Sequence, residues 1–422
     1  MQYSQMSKTD LLAKKQELDK TFAELKEKNL KLDMSRGKPG VDQLALSMDM
    51  LTEIKTPDDC IASNGFDCRN YGELGGLPEC KALFSEVLGV PAENIVVGGN
   101  SSLNLMFDYI AQCMTKGVAG NTPWMLQDGV KFICNVPGYD RHFTICEHFG
   151  IEMINVEMTE NGPDVEKIRE LVKDPKVKGM FCVPKYSNPD GITYSDDTVR
   201  ALAALQPAAK DFRVIWDNAY VVHDLNDTPD QLLNIFDVCK EYGTEDNFVE
   251  FTSTSKISFP GAGVSVLAAS DNNMREIMKR LAMQTISYDK LNQLRHVKYF
   301  KNLDGIRAHM KKHAAIIAPK FQIVLDALDR ELKEDGLAQW TRPNGGYFIS
   351  LNTTGCSAKR VGELCKELGV TLTSVGATYP YGKDPADRNI RIAPTYPSVE
   401  ELQKAAEVLC LCVKLATLEK LL

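Results

Sequence analysis

The 422-residue sequence has no apolar run approaching the roughly 20 residues of a membrane-spanning helix. Its first ten residues are polar and lack the apolar centre of a secretory signal, so a cytoplasmic location is predicted. Lysine and arginine number 49 against 57 aspartate and glutamate, giving a net charge of −8. This deficit of positive charge argues against nucleic acid or a membrane surface as the partner. Small molecules and a second copy of the chain are the expected partners.

The twelve cysteines include no CxxC pair, and only Cys410 and Cys412 lie close together in sequence. Scattered cysteines in a chain of this size are usually small core residues, so free thiols and no structural zinc are expected. His309 and His313 share a predicted helix face, but two lysines lie between them and no HExxH glutamate follows. A solvated helix face is therefore predicted there, and no metal site.

Short runs rich in β-branched residues alternate with helical patterns through the middle of the chain. Strands separated by helices indicate βαβ units, so this region is predicted to form a doubly wound α/β domain with a mostly parallel sheet. The predicted strands cover residues 94–97, 131–135, 151–156, 178–183, 213–216, 248–252 and 264–268, and the helices between them include 103–114, 165–173 and 230–241.

From residue 303 onwards the pattern has few parallel crossovers and predicts a smaller α+β domain. Its predicted elements are a helix at 303–333, strands at 347–351 and 389–393, and helices at 358–368 and 399–422. An amphipathic helix at 8–29 is expected to pack on this block. The predicted division is a large domain, 48–302, and a small domain made of 1–47 and 303–422.

Two polar residues follow predicted strands of the large sheet. Lys256 lies in FTSTSKISFPGAG, where burial and nearby cations could keep it partly neutral, as a Schiff-base lysine requires. Alone, such a lysine is more often a surface charge. Asp217 ends the apolar strand of VIWDNAY, and ligands bind at the carboxyl ends of strands in open α/β sheets. Its carboxylate could hold a pyridine nitrogen protonated, and a helix N-cap is the alternative.

Three further segments predict turns at strand ends. Segment 94–105, NIVVGGNSSLNL, aims backbone N–H groups and a helix start at an anion such as phosphate, although an ordinary βα turn is the alternative. It has neither a P-loop lysine nor a GxGxxG pattern, so nucleotides are not favoured. Tyr139 is placed to stack on a flat ring or to pack in the core. Asn188 lies in PKYSNPDG, which alone predicts only a turn.

Taken together, the order and spacing of these segments resemble the aspartate aminotransferase superfamily of pyridoxal-phosphate enzymes over essentially the whole chain. SRGKP at 35–39 and YGELGG at 71–76 are similar to the bacterial subgroup Ic aspartate aminotransferases, once grouped with MocR-like proteins. The resemblance implies a fold type I transferase that uses pyridoxal 5'-phosphate. It also implies ping-pong transfer of an amino group between an amino acid, with aspartate favoured, and 2-oxoglutarate.

The resemblance implies a role for each matching residue around the cofactor ring. Lys256 would bind the cofactor covalently and move the substrate proton, while Asp217 would pair with the pyridine nitrogen. Asn188 and Tyr220 would bond the phenolic oxygen of the ring, and Tyr139 would stack on the ring face. Tyr220 would be catalytic together with Lys256 and Asp217, and Asn188 would also contact the substrate.

For the phosphate, the resemblance implies binding by Asn100, Ser101, Ser102 and Ser253, with Tyr71 reaching in from the second subunit of a homodimer. Many relatives place an arginine eight residues after the lysine to neutralise the phosphate, whereas this chain has Val264 there. Hydroxyl groups, backbone donors and another cation are then expected to compensate.

Substrate binding would depend on arginines. Arg391, in RNIRIAPTYP, would clamp the α-carboxylate with its planar set of donors. A dicarboxylate such as aspartate needs a second cation, because a buried unpaired carboxylate is costly. Arg36 is favoured over Arg295, since the Gly-Lys-Pro loop after Arg36 could cover the substrate. An interdomain salt bridge is the alternative for Arg36, and a solvated helix face is the alternative for Arg295.

Two other functions use the same residues. A pyridoxal-phosphate lyase would share the sheet and the lysine, which do not decide the reaction after the substrate proton is removed. A cofactor-sensing MocR-type regulator would carry a basic winged helix-turn-helix, whereas about one helix precedes residue 32 here. An aminotransferase is therefore favoured, with a lyase or an aminotransferase of other specificity next and a regulator last.

Overall fold

The computed structural model describes residues 3–422, so the first two residues of the predicted small-domain segment lie outside it. The strands are β1 Leu32–Asp33, β2 Ile95–Val97, β3 Lys131–Val136, β4 Glu152–Thr159, β5 Gly162–Pro163, β6 Val177–Cys182, β7 Arg213–Asp217, β8 Phe248–Ser253, β9 Ser265–Ala269, β10 Ala338–Trp340, β11 Ile349–Thr353, β12 Val370–Thr371 and β13 Asn389–Ile392. The helices are α1 Lys8–Glu27, α2 Val41–Ala45, α3 Pro78–Leu88, α4 Ser102–Lys116, α5 Asp140–His148, α6 Val165–Leu171, α7 Asp196–Ala203, α8 Ile235–Lys240, α9 Asp271–Gln284, α10 Lys290–Phe300, α11 Leu303–Leu328, α12 Ala358–Glu367 and α13 Val399–Leu421.

An eight-stranded sheet with the order β2-β9-β8-β7-β6-β3-β4-β5 forms the centre of the fold. Its five inner strands from β8 to β4 run parallel, and β9 and β5 pair antiparallel with their neighbours. Every residue of β6 and β7 is buried, as expected when helices cover both faces of a parallel sheet. All seven strands predicted for this region form, and the predicted α/β fold class is confirmed.

The helix predicted at 230–241 is wrong over its first five residues. The chain from 230 to 234 is irregular, and α8 begins only at Ile235. Asn234 ends the irregular stretch because its side-chain oxygen accepts hydrogen bonds from the backbone N–H groups of Phe236 and Asp237. An N-cap at this position fixes where the helix starts.

A second hydrophobic cluster joins the two ends of the chain. Leu11, Leu18 and Leu25 of α1 pack with α12, α13 and the second half of α11, around the antiparallel sheet β10-β11-β13. The first turns of α11 instead pack Ile306 and Met310 against α3 and α10. Helix α11 therefore connects the large sheet to the second cluster, and the domain bounds stay a prediction.

All twelve cysteines are free and buried. Within residues 3–422, no helix is both long and apolar enough to span a membrane. The described chain likewise holds no group of three or more histidine, cysteine or acidic side chains arranged for a metal ion.

The predicted solvated face at His309 and His313 is wrong, because both side chains are buried. The start of the chain covers this face of α11: Gln43 Nε2 lies 3.1 Å from His313 Nδ1, and Ser47 Oγ lies 3.2 Å from His309 Nε2. Burial lowers the pKa of His313 to about 4, so the imidazole is neutral at neutral pH.

Candidate active site

Asp217 and Lys256 lie at the same edge of the large sheet. Asp217 is the last residue of β7, and β8, which runs parallel to it, ends at Ser253. After β8 the chain turns tightly, and the N–H groups of Ile257 and Ser258 donate to the carbonyl of Thr254. This turn holds Lys256 at the carboxyl ends of the strands, where ligands bind in open α/β sheets.

The Lys256 amine lies among aromatic rings. Its Nζ is 5.0 Å from the ring centre of Tyr220 and 5.7 Å from that of Tyr347. Burial lowers the pKa of Lys256, an effect that the Asp217 carboxylate opposes and the Arg391 guanidinium reinforces. A lysine amine whose charged form is destabilised in this way is suited to act as a nucleophile or base.

The Asp217 carboxylate has one paired and one unpaired oxygen. Oδ2 lies 3.0 Å from His142 Nε2, whereas Oδ1 is buried and has no hydrogen-bond partner within the described chain. The alternative of a helix N-cap is wrong, because a turn and no helix follows Asp217. A buried acceptor without a partner fits a ligand that brings a donor, and a protonated pyridine nitrogen is one.

His142 was not identified from the sequence. It lies in the first turn of α5, and its ring stacks on Phe181 with centroids 4.4 Å apart and planes 9° apart. Its position three residues after Tyr139, in a segment that starts a helix, is the signal that could have indicated it. His223 was also missed: it is buried, both ring nitrogens lack partners among the described residues, and burial holds its pKa well below the usual value.

Three predicted ring-binding residues lie around Lys256 and Asp217. Tyr220 is buried and stacks on Tyr347 with centroids 6.2 Å apart. The edge-to-face contact of Tyr139 with His142 spans 5.0 Å, and burial raises the pKa of Tyr139 to about 12. Asn188 is buried, and its Oδ1 accepts a hydrogen bond of 3.1 Å from Arg391 Nη1. Arg391 is thereby brought to the same place from β13.

The predicted phosphate segment lies next to the lysine turn. Ser101 is the N-cap of α4 but makes no capping bond with its side chain, so its hydroxyl stays available. Asn100 Nδ2 donates to the carbonyl of Pro260 at 3.1 Å. Ser255, which was not predicted, connects the two segments: its hydroxyl accepts from Ser253 Oγ at 3.1 Å and donates to the Asn100 carbonyl at 3.2 Å. Ser102 is the first residue of α4 and is partly buried.

Val264 is buried at the position where many relatives have the phosphate arginine. Arg295 of α10 contacts the loop just before it, donating from Nη2 to the Ala262 carbonyl at 3.2 Å. Arg295 Nε is buried without a partner within residues 3–422. The alternative of a solvated face for Arg295 is therefore wrong, because α10 packs on this loop.

Arg36 is exposed and forms no ion pair with any described residue, but its two neighbours contact the surroundings of Arg391. The Ser35 carbonyl accepts a hydrogen bond of 2.6 Å from Thr373 Oγ1. Thr373 Oγ1 in turn accepts a hydrogen bond of 3.3 Å from Arg391 Nε. Gly37 lies so close to the Phe348 ring that an added Cβ would be 2.3 Å from it. The Phe348 ring in turn lies 4.9 Å from the Arg391 guanidinium carbon.

Tyr71, which was also predicted to contribute to the site, has a side chain that makes no hydrogen bond with the other predicted site residues. Its side chain is 75% exposed and makes no hydrogen bond to the part of the chain that is described. It lies in a loop with Gly72 at φ 128° and Glu73 at φ 50°.

Comparison with known proteins gives consistent matches. The family model described as aspartate amino-transferase matches residues 6–422. An aspartate aminotransferase of Corynebacterium glutamicum is 47% identical over 405 residues, which cover 96% of this chain and 94% of the relative. A crystal structure of an aspartate transaminase from the same species is similar with a TM-score of 0.96 and 45% identity, covering 99% of both chains.

Proposed function

Because the chain belongs to the aspartate amino-transferase family and is an aminotransferase, we propose that it binds pyridoxal 5'-phosphate and transfers the amino group of aspartate to 2-oxoglutarate by ping-pong chemistry. The observation that carries this proposal is the partly buried Lys256 amine near an Asp217 carboxylate with one unpaired oxygen. The name of the C. glutamicum relative supports aspartate as the donor. The cytoplasmic location stays a prediction from the sequence.

When bound, the cofactor supplies a protonated pyridine ring that accepts the electron pair left at the substrate α-carbon. Asp217 Oδ1 would accept a hydrogen bond from the protonated ring nitrogen, and His142 contacts the other carboxylate oxygen. Lys256 would bind the cofactor covalently, and its amine, once displaced by the substrate, would remove the proton from the substrate α-carbon. Asn188 and Tyr220 would bond the phenolic oxygen, and Tyr139 would lie on the ring face.

The phosphate would be bound by the α4 start and the lysine turn. Backbone N–H groups at the N-terminus of a 15-residue helix, such as α4, attract an anion. The hydroxyl groups of Ser101, Ser102 and Ser253 and the Asn100 amide would add donors. Arg295 of α10, which donates to the loop before Val264, is the cation proposed to replace the missing arginine.

The substrate carboxylates would be bound by two arginines. Arg391 would take the α-carboxylate, and Arg36 would take the second carboxylate of aspartate or 2-oxoglutarate. The contacts of Ser35 and Gly37 with the neighbours of Arg391 support this, since they hold the Arg36 loop beside the proposed α-carboxylate site.

We also propose a homodimer in which Tyr71 contributes to the phosphate site of the partner, since its side chain is exposed and unbonded within its own described chain. Mixing inactive Tyr71→Phe and Lys256→Ala proteins should restore part of the activity through hybrid dimers. A fully active monomer in analytical ultracentrifugation would contradict the dimer.

The test of the proposed function follows amino transfer from a panel of donors with and without a 2-oxo acid. Wild-type protein should form glutamate from aspartate and 2-oxoglutarate, with a weaker reaction from alanine. Lys256→Ala should still bind the cofactor but lose transfer, whereas Lys240→Ala, an exposed lysine paired with Asp237, should not. Ammonia release without any 2-oxo acid would instead identify a lyase.

A further inference from the structure

Asp140 forms an ion pair with Arg391 across two separate parts of the fold. Asp140 begins α5, next to the large sheet, and Arg391 lies on β13 of the three-stranded sheet. Arg391 Nη1 donates to Asp140 Oδ1 at 2.9 Å. The Arg391 side chain is 7% exposed and that of Asp140 is 29% exposed, so the pair is partly shielded from water.

The described contacts of Arg391 use three of the five guanidinium N–H groups. The two on Nη1 donate to Asp140 and Asn188, and the one on Nε donates to Thr373. Within residues 3–422 the two N–H groups on Nη2 have no hydrogen-bond acceptor. Three bonds in one plane fix the rotation of the guanidinium and leave one corner for a ligand.

Asp140 is the one acid among these three partners. A buried guanidinium without a counter-ion would be costly, and Asp140 supplies that charge in the absence of substrate. Its position is itself fixed, because the same turn of α5 carries His142, which contacts Asp217. One helix start therefore contacts both the acid proposed for the ring nitrogen and the arginine proposed for the substrate.

We propose that Asp140 is a positioning residue for the substrate: by accepting a hydrogen bond from Nη1, it fixes Arg391 so that Nη2 stays available for the α-carboxylate. The inference rests on the proposed role of Arg391 in carboxylate binding. Because every amino acid and 2-oxo acid carries this carboxylate, Asp140 acts on all substrates alike. Arg36, by contrast, would act only on dicarboxylates.

The test compares Asp140→Ala and Asp140→Asn in the holoenzyme. KM and kcat are measured for aspartate and for alanine, and the Kd of succinate, which cannot react, is measured by calorimetry. Asp140→Ala should raise both KM values and the succinate Kd about tenfold or more, with kcat within about threefold of wild type, because a charge-assisted hydrogen bond is lost. Asp140→Asn keeps an acceptor oxygen and should stay within about threefold of wild type in all three constants.

Two controls accompany these variants. Asp197→Ala removes an exposed acid from the first turn of α7 and should change none of the constants. Arg391→Lys tests the proposed clamp itself: if it leaves carboxylate affinity unchanged, the assignment of Arg391 fails. If Arg391→Lys weakens binding but Asp140→Ala does not, the inference about Asp140 alone fails.

Two further outcomes would overturn the proposal. Tighter carboxylate binding in Asp140→Ala would show that the acid competes with the substrate. A loss in Asp140→Asn as large as that in Asp140→Ala would show that the hydrogen-bond acceptor is not what positions Arg391. Thermal unfolding and cofactor absorbance check that Asp140→Ala is folded. If it is not, near-native succinate affinity in Asp140→Asn supports the proposal, and a loss of about tenfold overturns it.

Discussion

Asn218 Nδ2 donates a hydrogen bond of 2.8 Å to Glu250 Oε1, joining the residue after Asp217 to the middle of the neighbouring strand. The backbone of Asn218 is held as well, since its N–H donates to the Phe251 carbonyl at 2.8 Å and its carbonyl accepts from Thr252 Oγ1 at 3.0 Å. These bonds fix the end of β7 against β8. They therefore fix the position of Asp217 relative to the turn that carries Lys256.

The burial of Glu250 predicts a pH-dependent stability, although the hydrogen bond from Asn218 opposes part of the pKa rise. Burial raises the pKa of Glu250 to about 7 in the folded protein, compared with about 4.5 when it is exposed. Between these values the folded state binds more protons than the unfolded state, so stability falls as pH rises from about 4.5 to 7. Glu250→Gln removes this loss and should raise the free energy of unfolding by about 3 kcal/mol at pH 8, with little change at pH 4.5.

Urea unfolding at the two pH values measures the effect. Glu152→Gln, at an exposed position that begins β4, is the control and should show no pH-dependent difference from wild type. A Glu250→Gln protein that is less stable than wild type at pH 8 would contradict the prediction.

Replacing Asp217 should lower kcat more than replacing its partner His142. Asp217→Ala should lower kcat by on the order of a thousandfold or more, because the proposed ring nitrogen loses the carboxylate that keeps it protonated. Asp217→Glu should do less harm. His142→Ala should lower kcat by about tenfold to a hundredfold, since it leaves the acid in place but removes a partner of its Oδ2.

Steady-state kinetics and cofactor titration of the apoenzyme separate these effects from loss of folding. His148→Ala, at the exposed end of the same helix, is the matched control. Near-native turnover in Asp217→Ala would show that the carboxylate has only a structural role.

Arg36→Ala should weaken dicarboxylate substrates selectively. We expect KM for aspartate to rise about tenfold or more while KM for alanine changes by less than about twofold, because only aspartate has a second carboxylate to lose a partner. Lys38→Ala is the control. Lys38 lies in the same loop as Arg36, and its amine is 3.8 Å from the Tyr396 ring. Equal losses with both donors would indicate a structural role for Arg36, and a wild-type preference for alanine would contradict aspartate as the substrate.

The elements that depend on neighbours along the chain were predictable from the amino-acid sequence. β-Branched runs separated by amphipathic segments specify strands and helices locally, so β7 and β8 form where they were predicted. The placement of Asp217 and Lys256 was also predictable, because polar residues at the end of a buried parallel strand, or just after it, lie at the ligand-binding edge of the sheet. The glycine turn before α4 was predictable for the same reason.

The contacts between distant segments were not predictable from local sequence patterns. His142 and Asp217 are 75 residues apart, and Asp140 and Arg391 are 251 apart, so their pairing depends on the packing of whole elements. The burial of His309 and His313 depends likewise on Gln43 and Ser47 covering α11, whereas a local pattern shows only that the face is polar. The periodicity of a segment shows which of its residues share a polar or an apolar face. Which other element packs against that face is set by the summed packing energy of the fold.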